Sequence, residues 1–263
     1  MVEGSQDVLT YSVNNGKCYI TLNRPKSMNA LNTELRSAIV EAVQKFDQDD
    51  ELFVGIVTGA GGKAFSAGLD LKEVASKDEQ EGKAHRNTGV SASEALSSSR
   101  KPIIAAIDGY CLAGGFEIAL SCDIRVATAQ STFGLPEVRR SLLPGPGLHE
   151  LPRVVPLGEA LLIQLTGSPI TSERAYQIGL IQKLVSDRDE LMAEAEKIAD
   201  AILKGAPLAT KAIKRVVRVG RNLPIEYSVK FSEAYRDAVY LSEDRREGPK
   251  AFAEKREPQW KNR

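Results

Sequence analysis

Several things are scarce in this 263-residue chain, and each scarcity excludes something. Net charge is absent: 35 Lys and Arg stand against 35 Asp and Glu, so nothing global draws the chain to nucleic acid or to an acidic membrane surface. Cysteine is sparse. Cys18, Cys111 and Cys122 form an odd set without framework spacing, which argues for a reducing compartment and against a disulfide scaffold. Histidine occurs at His85 and His149 alone, with no metal-ligand spacing around either. No apolar run approaches the ~20 residues of a membrane span. The segment Met1 to Asp7 is acidic and polar, unlike a secretory signal or an Arg-rich transit peptide. The expectation is a cytoplasmic protein with no membrane, nucleic-acid or metal partner. No internal repeat or low-complexity segment stands out. The length suits one large domain, or one domain with an appendage.

What is present is organised around Ile103 to Glu137. The apolar run Ile103 to Ile107 has the length of a buried strand, and Asp108-Gly109 is a turn signal. Ala113-Gly114-Gly115 leads into Phe116 to Leu120, helical in composition. A Gly pair at a helix start leaves backbone N–H groups unshielded, at the positive end of the helix dipole. Such an end holds an anion, or an oxygen that becomes anionic during a reaction. Glu117 falls in the first helical turn, and Phe133-Gly134-Leu135-Pro136-Glu137 supplies a second carboxylate on a rigid turn. From spacing alone, a Gly-rich corner with a capping Glu and a surface Glu is an equally open reading.

Around this stretch the chain alternates. Val8 to Val13 and Lys17 to Leu22 read as a hairpin over Asn14-Asn15-Gly16. Asn32 or Thr33 caps a helix to about Asp47, with Leu35, Ile39, Ala42, Val43 and Phe46 at helical spacing. Leu52 to Thr58 reads as a buried strand, Ser76 to Arg86 as a loop or short helix, and Ser91 to Ser99 as a weak helix. Val138 to Gly147 reads as a Pro- and Gly-stiffened loop, Gly158 to Leu165 and Ser172 to Gly179 as short helices, and Lys183 to Val185 as a short strand. From about residue 190 only helices are expected: Asp189 to Lys204, Ala206 to Gly220, Ile225 to Leu241 and Asp244 to Lys255. The composition shift implies an α/β core over 1–190 and an all-helical module over 191–263. The basic set Lys211, Lys214, Arg215, Arg218 and Arg221 follows one helical face and lacks interleaved aromatics, so a solvated face is expected rather than a nucleic-acid stripe. Cys111 and Cys122 are expected as small core fillers.

Three sets of residues resemble the crotonase (enoyl-CoA hydratase/isomerase) superfamily. They are Asp108 to Glu117 with Cys122 to Ala127 and Phe133 to Glu137; Asn23 to Leu31 with Ala64 to Lys72; and Gly248 to Arg256. The likeness spans the chain from about Asn23 to its end. It implies a crotonase (ClpP/crotonase-like) ββα spiral core followed by a helical trimerisation module, hence a homotrimer or hexamer. It implies an acyl-CoA thioester partner and an enoyl-CoA hydratase, adding water reversibly and syn to a 2-enoyl-CoA. The thioester chemistry requires no cofactor, coenzyme A being part of the substrate. By residue-by-residue likeness, the Leu69 and Gly114 amides form the oxyanion hole, Glu117 and Glu137 are catalytic, and Gly145 helps to hold the water. Lys26, Lys72, Phe252 and Lys255 fall at CoA-binding positions. An enoyl-CoA isomerase using one glutamate, or a CoA- or RNA-binding relative without turnover, are the alternatives. Leu148, Ser141 and the Arg139-Arg140 pair depart from the hydratase pattern beside the acyl pocket. With Ser76 to Ser99 as its expected variable wall, these departures leave the acyl group open.

Overall fold

The computed structural model describes residues 7–73, 75 and 90–263. Two sheets carry the core. The first has the order β1 (Leu9–Asn14), β2 (Lys17–Leu22), β3 (Val54–Gly59), β5 (Ile103–Ile107), β7 (Ile124–Thr128) and β10 (Lys183–Val185). The second has the order β4 (Ala64–Ser66), β6 (Tyr110–Leu112), β8 (Thr132–Gly134) and β9 (Ile170–Thr171). The hairpin β1–β2 is antiparallel, and Asn15 and Gly16 at φ 47° and 75° give the double positive φ that a tight turn of this hand requires. From β2 to β10 the first sheet is parallel.

The two sheets grow together. After β3, β5 and β7 in the first sheet, the chain turns at once into β4, β6 and β8 in the second. Each pass therefore lays one strand in each sheet, which is the expected spiral. Parallel strands must be covered on both faces, and β3 and β5 are buried throughout. Ile103, Ala105 and Ile107 point to the side where helix α1 (Thr33–Gln48) buries Leu35, Ile39, Val43 and Phe46. Ile104 and Ala106 point to the other side, against helix α7 (Arg188–Leu203). Asn32 caps α1, its side chain accepting from Leu35 N at 3.0 Å. Cys18, Cys111 and Cys122 are buried free thiols, as expected of core fillers.

The remaining helices are α2 (Ala92–Ser98), α3 (Gly114–Ser121), α4 (Gly147–Val154), α5 (Leu157–Thr166), α6 (Ser172–Gln177), α8 (Pro207–Gly220), α9 (Ile225–Leu241) and α10 (Asp244–Ala253). Four differences from expectation have physical reasons. β6, β7, β8 and β9 are short or broken by polar residues, and only pairing makes them strands. α4 contains Pro152, which masks a helical pattern. α7, expected in the C-terminal module, packs Leu191, Ala195 and Ala199 on the core sheet. The core thus runs on to residue 203, past the expected division at 190. The basic face of α8 is not simply solvated. Lys214 and Arg218 reach Asp123 at 2.8 and 2.7 Å, and Arg221 reaches Glu150 at 2.6 Å. These charges dock the helix on the core.

The expectation for Ser76 to Arg86, His85 included, lies outside the described residues, as does most of the expected acyl-pocket wall from 76 to 99. Among the described residues no helix is long and apolar enough to cross a membrane.

Candidate active site

The site gathers where α3 leaves the second sheet. Ala113, ahead of the helix, holds φ 50° and ψ −129°, a conformation that costs a non-Gly residue on the order of 1–3 kcal/mol. Such strain persists only where the surroundings enforce it. Ala113 N donates to Gly134 O at 2.9 Å, and Glu117 N to Ala113 O at 3.0 Å. Gly115 lets the helix approach β4 closely, since a Cβ there would sit 2.3 Å from Ser66 O.

Opposite Ala113 stands Gly68, at φ +93°. A Cβ on Gly68 would lie 2.6 Å from Ala113 Cβ and 3.0 Å from Gly114 N. A Cβ on Gly114 would in turn lie 3.7 Å from Leu69 N. The Leu69 and Gly114 amides are therefore neighbours, as expected, and neither donates a backbone hydrogen bond to a described residue. The amides flanking Leu69 are committed. Leu31 N donates to Gly68 O at 2.8 Å, Asp70 N to Leu31 O at 3.3 Å and Ala67 N to Met28 O at 3.0 Å. Two amides without a backbone acceptor among the described residues thus sit side by side at a strained, over-determined corner, the arrangement that can receive one oxygen.

Three polar residues, recognised in the sequence only as parts of a motif, hold that corner. The buried Asn29 accepts from Arg24 N at 2.9 Å and donates to Ala64 O at 2.8 Å. Arg24 pairs with Asp70 at 3.0 Å. Lys26 and Lys72 are exposed on the two segments so stitched together. Phe252, 87% exposed, and Lys255 lie at the end of α10 and are not brought to the glutamates by any hydrogen bond or ion pair.

Glu117 sits in the first turn of α3, its Oε1 accepting from Gly147 N at 3.0 Å. Gly145 is adjacent, as expected: a Cβ there would lie 3.3 Å from the same oxygen. Gly147 was not singled out from the sequence, although a glycine two places from Gly145 was its only available signal. Burial pushes the Glu117 carboxyl above the ordinary carboxylate range, while the Gly147 and Gly145 amides pull it back. Glu137 starts the 3-10 turn Pro136–Arg140. Its Oε2 is buried without a hydrogen-bond partner among the described residues. Its carboxyl is also raised, by burial first and further by the Glu117 charge, against its own backbone amide and Arg140. α3 is packed on β8, the strand that leads into this turn, through Phe116 and Phe133, both fully buried, with ring centroids 5.7 Å apart. The structure thus brings together Glu117, Glu137 and Gly145, and separately pairs Leu69 with Gly114 at the head of the helix carrying Glu117.

A ββα spiral with two neighbouring amides at one helix start and two partly buried carboxyls on the adjoining elements defines a crotonase-fold protein. The chain belongs to the enoyl-CoA hydratase/isomerase family, whose model matches residues 12–263. It is 37% identical over 251 residues to (E)-benzylidenesuccinyl-CoA hydratase of Thauera aromatica, covering 95% of this chain and 97% of that protein. It is 38% identical over 247 residues to the short-chain-enoyl-CoA hydratase of Clostridium acetobutylicum, covering 93% and 94%. An enoyl-CoA hydratase structure from Mycobacterium tuberculosis superposes with a TM-score of 0.90 at 36% identity, over 98% of this chain and 100% of that one.

Proposed function

We infer that this protein is an enoyl-CoA hydratase, a hydro-lyase acting on an acyl-CoA thioester. The observation that carries the reading is the presence of two partly buried carboxyls on adjoining elements, Glu117 anchored by the Gly147 amide and Glu137 with a buried oxygen that lacks a hydrogen-bond partner among the described residues. An isomerase that shuttles one proton has use for one such group.

In this reading the thioester oxygen lies in the Leu69 and Gly114 amides, which stabilise the negative charge that develops as the β-carbon is attacked. Glu117, ionised, takes a proton from water as the water oxygen bonds to the β-carbon. Glu137, protonated, gives its proton to the α-carbon. Both carboxyls are raised, burial being the first cause in each, which favours their exchanging protons with substrate and water, and the Glu117 charge raises Glu137 further. The Gly145 backbone N–H is proposed to help hold the water beside Glu117. The chemistry requires neither metal nor redox cofactor. Lys26 and Lys72 are proposed to meet the CoA nucleotide, and Phe252 and Lys255 to cover a CoA held by a neighbouring subunit of a trimer or hexamer. Three buried free thiols fit a cytoplasmic setting.

The test follows the loss of absorbance of the conjugated enoyl thioester. Glu117→Gln and Glu137→Gln keep shape and hydrogen bonding but remove proton acceptance, and each is expected to lower turnover by a factor of roughly a hundred or more. The double variant is expected to lose far less than the product, because the two serve one step. Exchange of the substrate α-proton with deuterated solvent should depend mainly on Glu137. Near-normal hydration by folded Glu117→Gln would remove Glu117 as the base, and a wild type that hydrates no 2-enoyl-CoA would exclude the hydratase reading and leave an isomerase resting on Glu137.

A further inference from the structure

A second cavity, of about 550 Å3, is enclosed by the C-terminal end of α2, by α8 and by α9. Leu208, Ala212 and Val239, with the Tyr235 ring, give it an apolar lining. Arg100, Lys211, Lys214, Arg215 and Arg218 line it too, and no carboxylate of the described residues does.

The five cations are not equivalent. Lys214 and Arg218 are paired from behind the wall with Asp123. Arg100 donates to the Asp47 carbonyl oxygen at 2.8 Å and, through its backbone amide, to the Asp47 carboxylate at 3.2 Å. Lys211 has only the neutral Asn262 Oδ1, at 3.1 Å. Exposed Arg215 has no hydrogen bond or ion pair among the described residues. Burial first, then the Arg100 charge, pulls the Lys211 ammonium below its ordinary range, against the opposing pull of Asp50 and Asp47. Lys211 and Arg215 thus stand at an apolar cavity with no ion pair of their own among the described residues. A cavity with an apolar lining, several cations and no carboxylate among the described residues that line it is complementary to an anionic head on a hydrocarbon body.

Its position adds a second point. Arg218 Nη2 donates at 2.8 Å to the carbonyl of Ser121, the last residue of α3. The cavity therefore abuts the C-terminal end of the helix whose N-terminal end carries the amide cradle. Eight residues of α3 rise ~12 Å, so an acyl arm would have to run at least about that far around the helix to reach the cavity, which takes a medium-length chain.

We propose that this cavity binds a carboxylate borne on a medium-length hydrocarbon chain, its head paired with Arg215 and Lys211. That chemistry has two sources: a free fatty carboxylate, or a carboxylate at the far end of the acyl arm of an enoyl thioester. The second source rests on the hydratase reading above; the first does not.

The experiment uses the full chain. Calorimetry measures binding of decanoate and of decanol, which shares the chain but lacks the charge. Turnover is measured with two medium-chain 2-enoyl-CoA substrates of equal length, one ending in methyl and one in carboxylate, with 2-butenoyl-CoA as a control too short to reach the cavity. Wild type is expected to bind decanoate more tightly than decanol. The Arg215→Gln/Lys211→Gln double variant is expected to bind decanoate about tenfold or more weakly, with decanol binding and 2-butenoyl-CoA turnover unchanged. If the carboxylate-ended substrate displaces decanoate, and its lower KM is lost in the variant, the acyl arm is the source. If decanoate binds alongside both substrates, a free carboxylate is. A wild type that shows neither preference for charge, or a variant that keeps every preference of the wild type, would overturn the proposal. Charge-dependent decanoate binding without any hydration would instead overturn the hydratase reading alone.

Discussion

At the scale of single residues, the site is defined by what Glu117 and Glu137 lose on folding. Both carboxyls are raised, burial being the largest cause in each. For activity the sign is simple. Glu117 must be ionised to act as base, so kcat/KM should fall as pH drops through its raised value. That acid limb should lie above the ordinary glutamate range of about 4.3. A pH–rate profile on a 2-enoyl-CoA checks this; a limb at the ordinary value would mean that Glu117 is not the base. For stability the sign is opposite to that of a salt-bridged carboxylate. A group raised in the folded state costs nothing below its unfolded value, and costs progressively more as pH climbs to its folded value. Glu117→Gln should therefore be more stable than the wild type at neutral pH, and should show no such gain near pH 4. Denaturant unfolding at the two pH values tests it. The gain in stability should accompany the loss of turnover, since the same desolvation produces both.

At the scale of elements, α8 shows how a charged helix becomes part of a fold. Asp123 stands at the mouth of β7. It receives Lys214 and Arg218 from α8 while its Oδ2 also accepts from Ile103 N at 2.8 Å. Lys214 further donates to the Lys101 carbonyl at 2.7 Å, and Arg218 to Ser121 O. One carboxylate thus ties α8 to β5, β7 and the end of α3. Removing it leaves two partly buried cations and a strand amide unpaired. Asp123→Ala should cost about 3–5 kcal/mol, the loss typical of breaking a buried pair from one side. Replacing Arg221, whose pair with Glu150 is more exposed, should cost about 1 kcal/mol or less. Equal effects in urea unfolding would show that Asp123 is not the anchor.

At the scale of the whole molecule, apolar surface remains uncovered. On α5, Leu157, Leu161, Leu162 and Leu165 are 63%, 45%, 57% and 69% exposed, and Leu143 nearby in sequence is 80% exposed. On α8, Ile213 and Val217 are 64% and 60% exposed. Rows of this kind mark contact surfaces rather than free ones. The expectation of a trimer or hexamer rests on them. Static light scattering at micromolar concentration should return three or six chain masses, and a monomeric mass would remove the proposal. The apolar residues Ile198 and Ile202 of α7, by contrast, pack against the core sheet. An amphipathic helix announces that one face is covered, but not whether a sheet, a helix or another subunit covers it.

The sequence by itself determined the elements whose pattern is local. The β1–β2 hairpin, α1 with its Asn32 cap, β5, β10 and α9 fall where periodicity and turn chemistry put them, because those signals act over a few residues. It also put both glutamates beside glycine-rich turns, since the motif residues are contiguous. Tertiary structure decided the rest. β7 was hidden by Arg125, a charge within an apolar strand. It is buried because the carbonyls of Leu180, Cys122 and Ala119 receive its guanidinium, and those lie on other elements or beyond a turn. The Gly147 amide that anchors Glu117 comes from 30 residues away, and the free amides of Leu69 and Gly114 meet only because Gly68 and Ala113 are pressed together. α7 was assigned by the sheet that needed its second face covered. Local chemistry writes helices and turns into the chain, whereas burial of a charge, the raising of a carboxyl and the meeting of two amides depend on groups distant in sequence.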